Sequence, residues 1–427
     1  MSLPLVSNKN IPPTVFILLD AFRWDYLQAE TAPVLWQLKE EGIYAKKLRP
    51  SFGFCEIAES STGVRPNQSG LFTQLTFAKT QHGRIQSTYL KLIEQIATWV
   101  ELYGGRGSTR LTNLLTKDFI TPLFADQRVD NLRYNIPLRL LPLLSAVEAR
   151  RYTEPNAFDI ESCFDVLTKN GKRTYDDVYV INSKVSGTDE SRVATLIEKA
   201  QHDFDLFMIY LGGCDEFGHR FGPNSEELQD IVSQQDRWIN QLIKAFPPAT
   251  RFLIVGDHGM LPVTDTIDIG TTIRQALSGF KHARDYILFL DSTLARVWWH
   301  NERAGEALRE IFAAPPISQK GKIIDVKEAQ RLAIPPPGER YGQLIWRANP
   351  GVMVFPDYFN NKVPLGMHGY PTHLDEQKGM AILWGQNIPS AEIDEIELID
   401  LCPTICELFE LSPPATNQGH SLFDQVG

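Results

Sequence analysis

Residues 14–20 read "TVFILLD", a short apolar run that contains β-branched residues and ends in an acid. This pattern predicts a strand that is buried on both faces, as in a parallel sheet. Similar runs return in "DLFMIYLGG" at 205–213 and in "RFLIVGDHG" at 251–259, with helical periodicity between them. Strands that alternate with helices predict an α/β fold with a doubly wound, mostly parallel central sheet flanked by helices. Ligands of such sheets bind beyond the carboxyl ends of the strands, which is where these acids fall.

Two regions interrupt the alternation. Residues of about 75–155 contain Leu-rich stretches such as "NIPLRLLPLLSAVEARRY", for which we predict a helical insertion that packs over the mouth of the site. Residues 271–364 combine strand-like runs with a helix and predict a small α+β cap subdomain. The catalytic core is therefore expected to comprise residues 1–270 and 365–427.

The composition of the 427 residues is typical of a soluble globular protein. A net charge of -10 argues against a nucleic-acid partner, because proteins that bind nucleic acid usually carry a basic surplus. We expect no transmembrane segment and no signal peptide, since the apolar runs fall well short of ~18 residues. Five scattered cysteines without a CxxC pair favour a reducing, cytoplasmic location.

Acids and histidines cluster after the predicted strands and in Gly-rich turns. They are Asp20, Asp215, His219, Asp257, His258 and His368. Each alone is a weak signal, because a single Asp at a strand end commonly caps a helix and a lone His is commonly structural. Together they supply the oxygen and nitrogen ligands that Zn²⁺ accepts. Two metal sites with three protein ligands each would suit two-metal phosphoryl transfer, so we expect two divalent metal ions, zinc by preference.

These motifs resemble the alkaline phosphatase superfamily and, within it, the type I phosphodiesterase/nucleotide pyrophosphatase branch. The resemblance rests on "LLDAFRWDYL", "STGVRPNQSG", "DEFGHRFGP", "GDHGM" and "MHGYP", which occur in the order of the family. It implies an alkaline-phosphatase-like fold. It also implies that Asp20, Asp257 and His258 bind one zinc ion. The ligands of the other zinc ion would be Asp215, His219 and His368.

The resemblance also implies substrate contacts. Gln74 stands where the branch usually has an Asn that hydrogen-bonds the phosphoryl oxygen. Phe54 is a candidate for stacking on a base, although aromatic side chains more often pack in a core. His373 lies near His368 in the sequence and is a weaker candidate for the same ligand position.

The stretch "RPSFGFCEIAESSTGVRPNQSG" at 49–70 departs from the family at one position. In the family a nucleophilic Thr or Ser precedes the Thr of the TG pair by nine positions, and counting back from Thr62 leads to Gly53. The first of three hypotheses makes Cys55 the nucleophile, because a helix N-terminus and a nearby cation both lower the pKa of a thiol. The second uses Ser51 as a metal-activated alkoxide. In the third, a metal-bound water attacks phosphorus directly.

The sequence thus predicts a metal-dependent phosphodiesterase or pyrophosphatase that acts on a nucleotide-like or other small phosphoester. A phosphomonoesterase or phosphotransferase of the same superfamily is an alternative. Such phosphatases place an Arg or Lys against the additional phosphate charge, and Arg23 and Arg65 are candidates for it. A catalytically reduced, metal-containing binding protein is a further alternative, suggested by Gly53. A lipid-linked substrate would fit if the insertion lines a broad apolar mouth.

Overall fold

The computed structural model describes residues 11–77, 135–137, 140, 143–148, 150–177 and 187–426. In chain order the strands are β1 (Thr14–Leu19), β2 (Ile43–Arg49), β3 (Leu75–Phe77), β4 (Leu144–Ala146), β5 (Thr174–Asp177), β6 (Leu206–Leu211), β7 (Arg251–Gly256), β8 (Leu261–Pro262), β9 (Asp265–Ile267), β10 (Tyr286–Leu290), β11 (Leu294–Trp299), β12 (Gly321–Ile324), β13 (Leu344–Ala348), β14 (Val352–Val354), β15 (Gly366–Met367), β16 (Gly379–Gly385) and β17 (Ala391–Glu397).

The described α-helices are α1 (Pro33–Glu41), α2 (Glu56–Thr62), α3 (Pro66–Ser69), α4 (Cys163–Lys169), α5 (Asp189–Lys199), α6 (Gly213–Phe221), α7 (Glu226–Ala245), α8 (Ile269–Ala276), α9 (Glu302–Ala313), α10 (Ile317–Lys320), α11 (Val326–Arg331) and α12 (Leu401–Leu408). Short 3₁₀ turns cover Trp24–Tyr26, Asp375–Gln377 and Leu398–Asp400. Within the described part of the chain, every helix is too short or too polar to span a bilayer.

The central sheet has the strand order β17-β2-β16-β7-β1-β6-β5. Its neighbouring strands run parallel except at β16, which is antiparallel to both β2 and β7. This sheet confirms the predicted α/β fold with a mostly parallel sheet. The strand β1 lies between β6 and β7, so the three runs that predicted the fold are neighbours.

The continuous apolar pattern of β1 follows from burial on both of its faces. Phe16 and Leu18 pack into the apolar cluster on one face of the sheet, which includes helix α12. Val15 and Ile17 pack into the cluster on the other face, which includes helix α7. All these side chains are almost completely buried, and each buried side chain of this size contributes about 1.5–3 kcal/mol of transfer free energy.

A second, four-stranded antiparallel sheet, ordered β10-β11-β13-β12, lies within residues 271–364. Helix α9 packs against it through Ala304, Leu308 and Phe312. A small parallel pair, β9 with β14, joins this region to the segment that follows β7, and β8 pairs with β15 just beyond the region. The sheet falls where a cap is predicted, and the division of the chain into core and cap stays a prediction.

Most of the predicted helical insertion, residues 78–134, lies outside the described residues. The helix predicted for "NIPLRLLPLLSAVEARRY" is wrong in its described part, where β4 pairs antiparallel with β3. The prolines at positions 137 and 142 oppose a helix because they lack the N–H that a helix needs. Leu140 and Leu144 instead pack against strands β10 and β11 of the second sheet.

Candidate metal centre

The first group of candidate ligands forms where two adjacent strands end. Leu19 and Gly256 are paired residues at the ends of β1 and β7, so Asp20 and Asp257 emerge side by side. Asp257 Oδ1 accepts hydrogen bonds from the backbone N–H groups of Ala21 and His258, at 3.1 and 2.9 Å. His258 Nε2 lies 3.1 Å from Asp20 Oδ1. The order of the strands therefore brings Asp20, Asp257 and His258 together.

The second group forms beyond the end of β6, in helix α6 and the turn after β15. Asp215 and His219 lie one helical turn apart, with His219 Nε2 3.1 Å from Asp215 Oδ1. His368 follows β15, and its Nε2 atom lies 3.6 Å from the same Asp215 oxygen. The backbone N–H of Leu365 donates to the carbonyl of His219, which ties the turn to the helix.

The two groups share one cavity of about 680 Å³. In each group the candidate ligand atoms lie within 4.8 Å of one another. All six residues predicted as ligands therefore face the same space. Other residues that line the cavity include Phe54, Glu56, Gln74, Glu148, Tyr210, Asp291 and Asn360.

Backbone carbonyls orient two of the histidines. His219 Nδ1 lies 2.8 Å from the carbonyl oxygen of Gly366, and His258 Nδ1 lies 3.0 Å from that of Gly259. A proton on Nδ1 donates in each of these contacts and leaves the lone pair on Nε2 facing the carboxylates. This arrangement, with one ring nitrogen held by a carbonyl, is typical of histidines that bind metal ions.

The charges of the cluster perturb its pKa values. Burial raises the pKa of the Asp257 carboxyl to about 7. Burial alone would lower the pKa of His219, but the charge of Asp215 outweighs it and raises the pKa to about 9. Burial alone would raise the pKa of Asp215, yet His219 and His368 hold it well below its usual range. Burial lowers the pKa of His368, and the neighbouring His258 adds to that effect.

The cluster suits divalent cations in its chemistry and in its unsatisfied atoms. Carboxylate oxygens and imidazole nitrogens are the donors that Zn²⁺ and similar ions accept. Asp215 Oδ1 is buried and lies 3.1 Å from His219 Nε2, but it makes no hydrogen bond of good geometry among the described residues, although buried carboxylate oxygens are normally satisfied. A cation between these side chains would satisfy that oxygen. The choice of zinc among divalent metals stays a prediction.

The turn at Gly53 has no room for the family's nucleophile. Gly53 adopts a φ of +143°, which side-chain-bearing residues rarely adopt. A β-carbon there would stand 2.3 Å from the carbonyl oxygen of Phe72, which accepts a hydrogen bond from the N–H of Phe54. The absence of an alcohol at this position is therefore built into the local backbone.

Neither predicted replacement nucleophile lines the cavity. Cys55 caps α2 and is 7% exposed in an apolar cluster. Burial, together with Glu148 and Glu56, raises the pKa of its thiol well above the usual value, where the sequence predicted a lowered pKa. Ser51 donates a short hydrogen bond to Glu59 and lines a separate small pocket. These placements count against both residues as nucleophiles.

The predicted substrate-binding residues do line the cavity. Gln74 belongs to its wall, and Phe54 meets the ring of His368 edge to face, with centroids 5.7 Å apart. His373 instead lines the small pocket beside Ser51. Arg23 and Arg65 lie outside the cavity, where they pair with Asp25 and Glu397.

Two glutamates in the cavity escaped the sequence analysis. Glu56 begins α2 and belongs, with His258 and His368, to a third group of candidate ligands. Burial raises the pKa of Glu148 to about 7 and that of Glu56 to about 8. The position of Glu56 in the first helical turn after Gly53 is a sequence signal that could have placed it near the site. For Glu148 the sequence carried no signal, because it lies outside every motif.

Comparison with known proteins shows the family to which the chain belongs. The sequence profile of the family described as type I phosphodiesterase / nucleotide pyrophosphatase matches residues 14–371. The chain belongs to this family. Human ectonucleotide pyrophosphatase/phosphodiesterase family member 7 is 23% identical over 276 residues, covering 61% of this chain and 50% of the relative. The chain thus spans about half the length of that curated relative.

Two further similarities concern a short stretch of sequence and the overall fold. GPI ethanolamine phosphate transferase 3 of Schizosaccharomyces pombe is 33% identical over 58 residues, 14% of this chain and 6% of that protein. The solved structure of murine ectonucleotide pyrophosphatase / phosphodiesterase 5 superposes with a TM-score of 0.67 at 17% identity, covering 96% of this chain and 98% of that chain. The chain therefore has the same fold as the murine protein.

Proposed function

We propose that the protein is a metal-dependent phosphodiesterase or pyrophosphatase that hydrolyses a nucleotide-like or other small phosphoester in this cavity. The observation that carries the proposal is the convergence of Asp20, Asp257 and His258 with Asp215, His219 and His368 in one cavity. Its volume of about 680 Å³ falls within the usual range for small-molecule sites. Divalent cations bound there would supply Lewis-acid stabilisation of the phosphoryl oxygens.

The protein's own residues have distinct roles in this proposal. The aspartates and histidines hold the cations, and Gln74 orients a phosphoryl oxygen through its side-chain amide. Phe54, beside His368, offers an aromatic edge or face to the organic part of the substrate. The turn at Gly53 and the positions of Cys55 and Ser51 favour direct attack by water over a covalent intermediate.

The charges of the cavity favour a diester over a monoester. Among the described residues that line it there is no Lys or Arg, whereas Asp, Glu and His are abundant. A phosphodiester carries one negative charge and a monoester close to two at neutral pH, so the monoester needs more compensation. Neither Arg23 nor Arg65 reaches the cavity to supply it. The proposed substrates include lipid-linked diesters, because the name of the yeast relative, GPI ethanolamine phosphate transferase 3, refers to a lipid-linked substrate.

The cytoplasmic location stays a prediction. All five cysteines are free and buried, which is consistent with a reducing compartment.

The proposal is tested with bis(p-nitrophenyl) phosphate and p-nitrophenyl phosphate. Zinc-loaded protein should hydrolyse the diester faster than the monoester and lose activity in a chelator. Asp215→Asn should be inactive, while Asp230→Asn, which changes an exposed aspartate on α7, should be as active as the wild type. A faster monoester reaction, or an Asp215→Asn variant with normal turnover, would contradict the proposal.

A further inference from the structure

Glu56 occupies a position between the two groups of ligands. It is the first residue of α2, three positions after Gly53, and its side chain lines the cavity. One of its carboxylate oxygens lies within 4.8 Å of a ring nitrogen of His258 and of a ring nitrogen of His368. His258 belongs to the first group of ligands and His368 to the second. Glu56 therefore lies close to one histidine of each group.

The two histidines leave only a short gap for a carboxylate to span. Their rings stack with centroids 4.3 Å apart and planes 21° apart. Two cations held by these rings would be close neighbours, and paired catalytic metals commonly lie about 3.5–4 Å apart. A carboxylate has two oxygens and can place one on each of two such ions.

The charge of the cluster also calls for a fourth anion. The two groups contain three aspartates, Asp20, Asp257 and Asp215, whereas two divalent cations carry four positive charges. An alkoxide at position 53 would supply one more negative charge, but a β-carbon there would collide with Phe72. Two cations would displace the proton from the Glu56 carboxyl, so that its carboxylate supplies a negative charge from the next turn of the same segment and four carboxylates balance two divalent ions.

We propose that the Glu56 carboxylate bridges the two metal sites and takes the place that an alcohol at position 53 would occupy. This inference rests on the proposed metal centre and assigns it a seventh protein ligand. The bridge fixes the spacing of the two ions in the absence of substrate. It leaves the attacking oxygen to come from water, because a carboxylate that is bound at both oxygens has no free oxygen to attack phosphorus.

The test uses Mn²⁺ as the probe, because two Mn²⁺ ions that share a bridging carboxylate give an exchange-coupled paramagnetic resonance spectrum. Wild type, Glu56→Gln, Glu56→Asp and Glu216→Gln are titrated with Mn²⁺ by calorimetry, and the loaded proteins are examined by paramagnetic resonance. Glu216 is the matched control, since it lines the same cavity but belongs to none of the three groups of candidate ligands. The unfolding of the metal-free variants by denaturant shows whether each is folded.

The wild type and Glu216→Gln should bind two ions with a coupled spectrum. Glu56→Gln should bind at least one ion about tenfold more weakly or worse and lose the coupling. Glu56→Asp should retain part of the affinity, because it keeps the charge but shortens the reach. An unchanged spectrum and affinity in Glu56→Gln would overturn the bridge alone. A wild type that binds fewer than two ions would overturn the metal centre and the bridge together.

Discussion

The imidazole rings of His258 and His368 stack with centroids 4.3 Å apart, although the two residues belong to different groups of candidate ligands. One follows strand β7 of the central sheet and the other follows β15, more than a hundred residues later. Their contact joins the two groups into a single centre.

Replacing His368 should strongly reduce activity, whereas replacing His373 should not. His368→Ala removes a candidate ligand whose Nε2 atom lies 3.6 Å from Asp215 Oδ1, and we expect kcat/KM to fall on the order of 10²-fold or more. His373→Ala is the matched control, because that side chain lines a separate pocket. Steady-state hydrolysis of the diester measures both. Equal losses in the two variants would contradict the assignment of His368.

Cys55→Ala and Ser51→Ala should each keep turnover within about threefold of the wild type. Cys55 is buried in an apolar cluster and Ser51 is hydrogen-bonded to Glu59, and neither side chain lines the cavity. Each change should cost stability, by about 1 kcal/mol, through lost packing or a lost hydrogen bond. Single-turnover kinetics should show no covalent intermediate. If one variant folds normally but loses turnover, the residue replaced in that variant is the nucleophile, and this prediction is wrong.

Gly53→Ala should be more destabilising than Gly171→Ala. Both glycines have a positive φ, but a β-carbon at Gly171 would meet no atom within 4 Å, whereas one at Gly53 would meet the Phe72 carbonyl. We expect a loss of unfolding free energy of about 2–4 kcal/mol at Gly53 and about 1 kcal/mol at Gly171. Denaturant unfolding compares the two variants. Similar losses would show that the turn has more room than the structure indicates.

Glu148 should make the metal-free protein less stable as the pH rises. Burial raises the pKa of its carboxyl from 4.5 to about 7, so the folded protein holds a proton that the unfolded chain releases. The resulting stability is present below pH 4.5, is lost as the pH rises towards 7, and amounts to about 3 kcal/mol. Glu148→Gln should therefore gain stability relative to the wild type at pH 8 but not at pH 4. Unfolding in a chelator at both pH values tests this, and a gain of equal size at both would contradict it.

The buried ion pair between Arg296 and Asp291 should be essential to the wall of the cavity. Arg296 is fully buried, pairs with Asp291 at 2.8 Å, and donates to the carbonyl of Leu75, beside Gln74. Arg296→Met leaves Asp291 without its partner and should lower the unfolding free energy by about 3–5 kcal/mol. Arg303→Met, on the exposed face of α9, is the control and should change little. Equal unfolding midpoints for the two variants would contradict this role.

The strands of the central sheet and the six candidate ligands could be predicted because their signals are local. A strand buried on both faces, such as β1, shows a continuous apolar run, and an acid at its end lies at the ligand-binding edge. The observed pairing of β1 with β7 then brings Asp20 and Asp257 together. The turn at Gly53 could be located because the resemblance to the family fixes its distance of nine positions from Thr62.

The remaining features depend on contacts between distant segments. The position of Glu56 in the first turn after Gly53 is visible in the sequence, but its proximity to His368 depends on a contact between distant segments. Nothing near Ser51 in the sequence indicates that Glu59 binds its hydroxyl. The leucines of 135–146 predicted a helix from their spacing, but two prolines oppose a helix, and in the described part of the segment Leu144–Ala146 is a strand that pairs with β3 and packs on the second sheet. Such outcomes are set by tertiary packing and not by the local pattern.

The central claim is that the chain holds two divalent cations in adjacent sites. The most direct test is the amount of zinc that remains after dialysis, determined by elemental analysis of the wild type, Asp20→Asn, Asp215→Asn and the control Asp230→Asn. We expect two ions per chain in the wild type and in Asp230→Asn, and about one in each of the other two variants. A wild type that retains no zinc, or site variants that retain as much as the wild type, would contradict it.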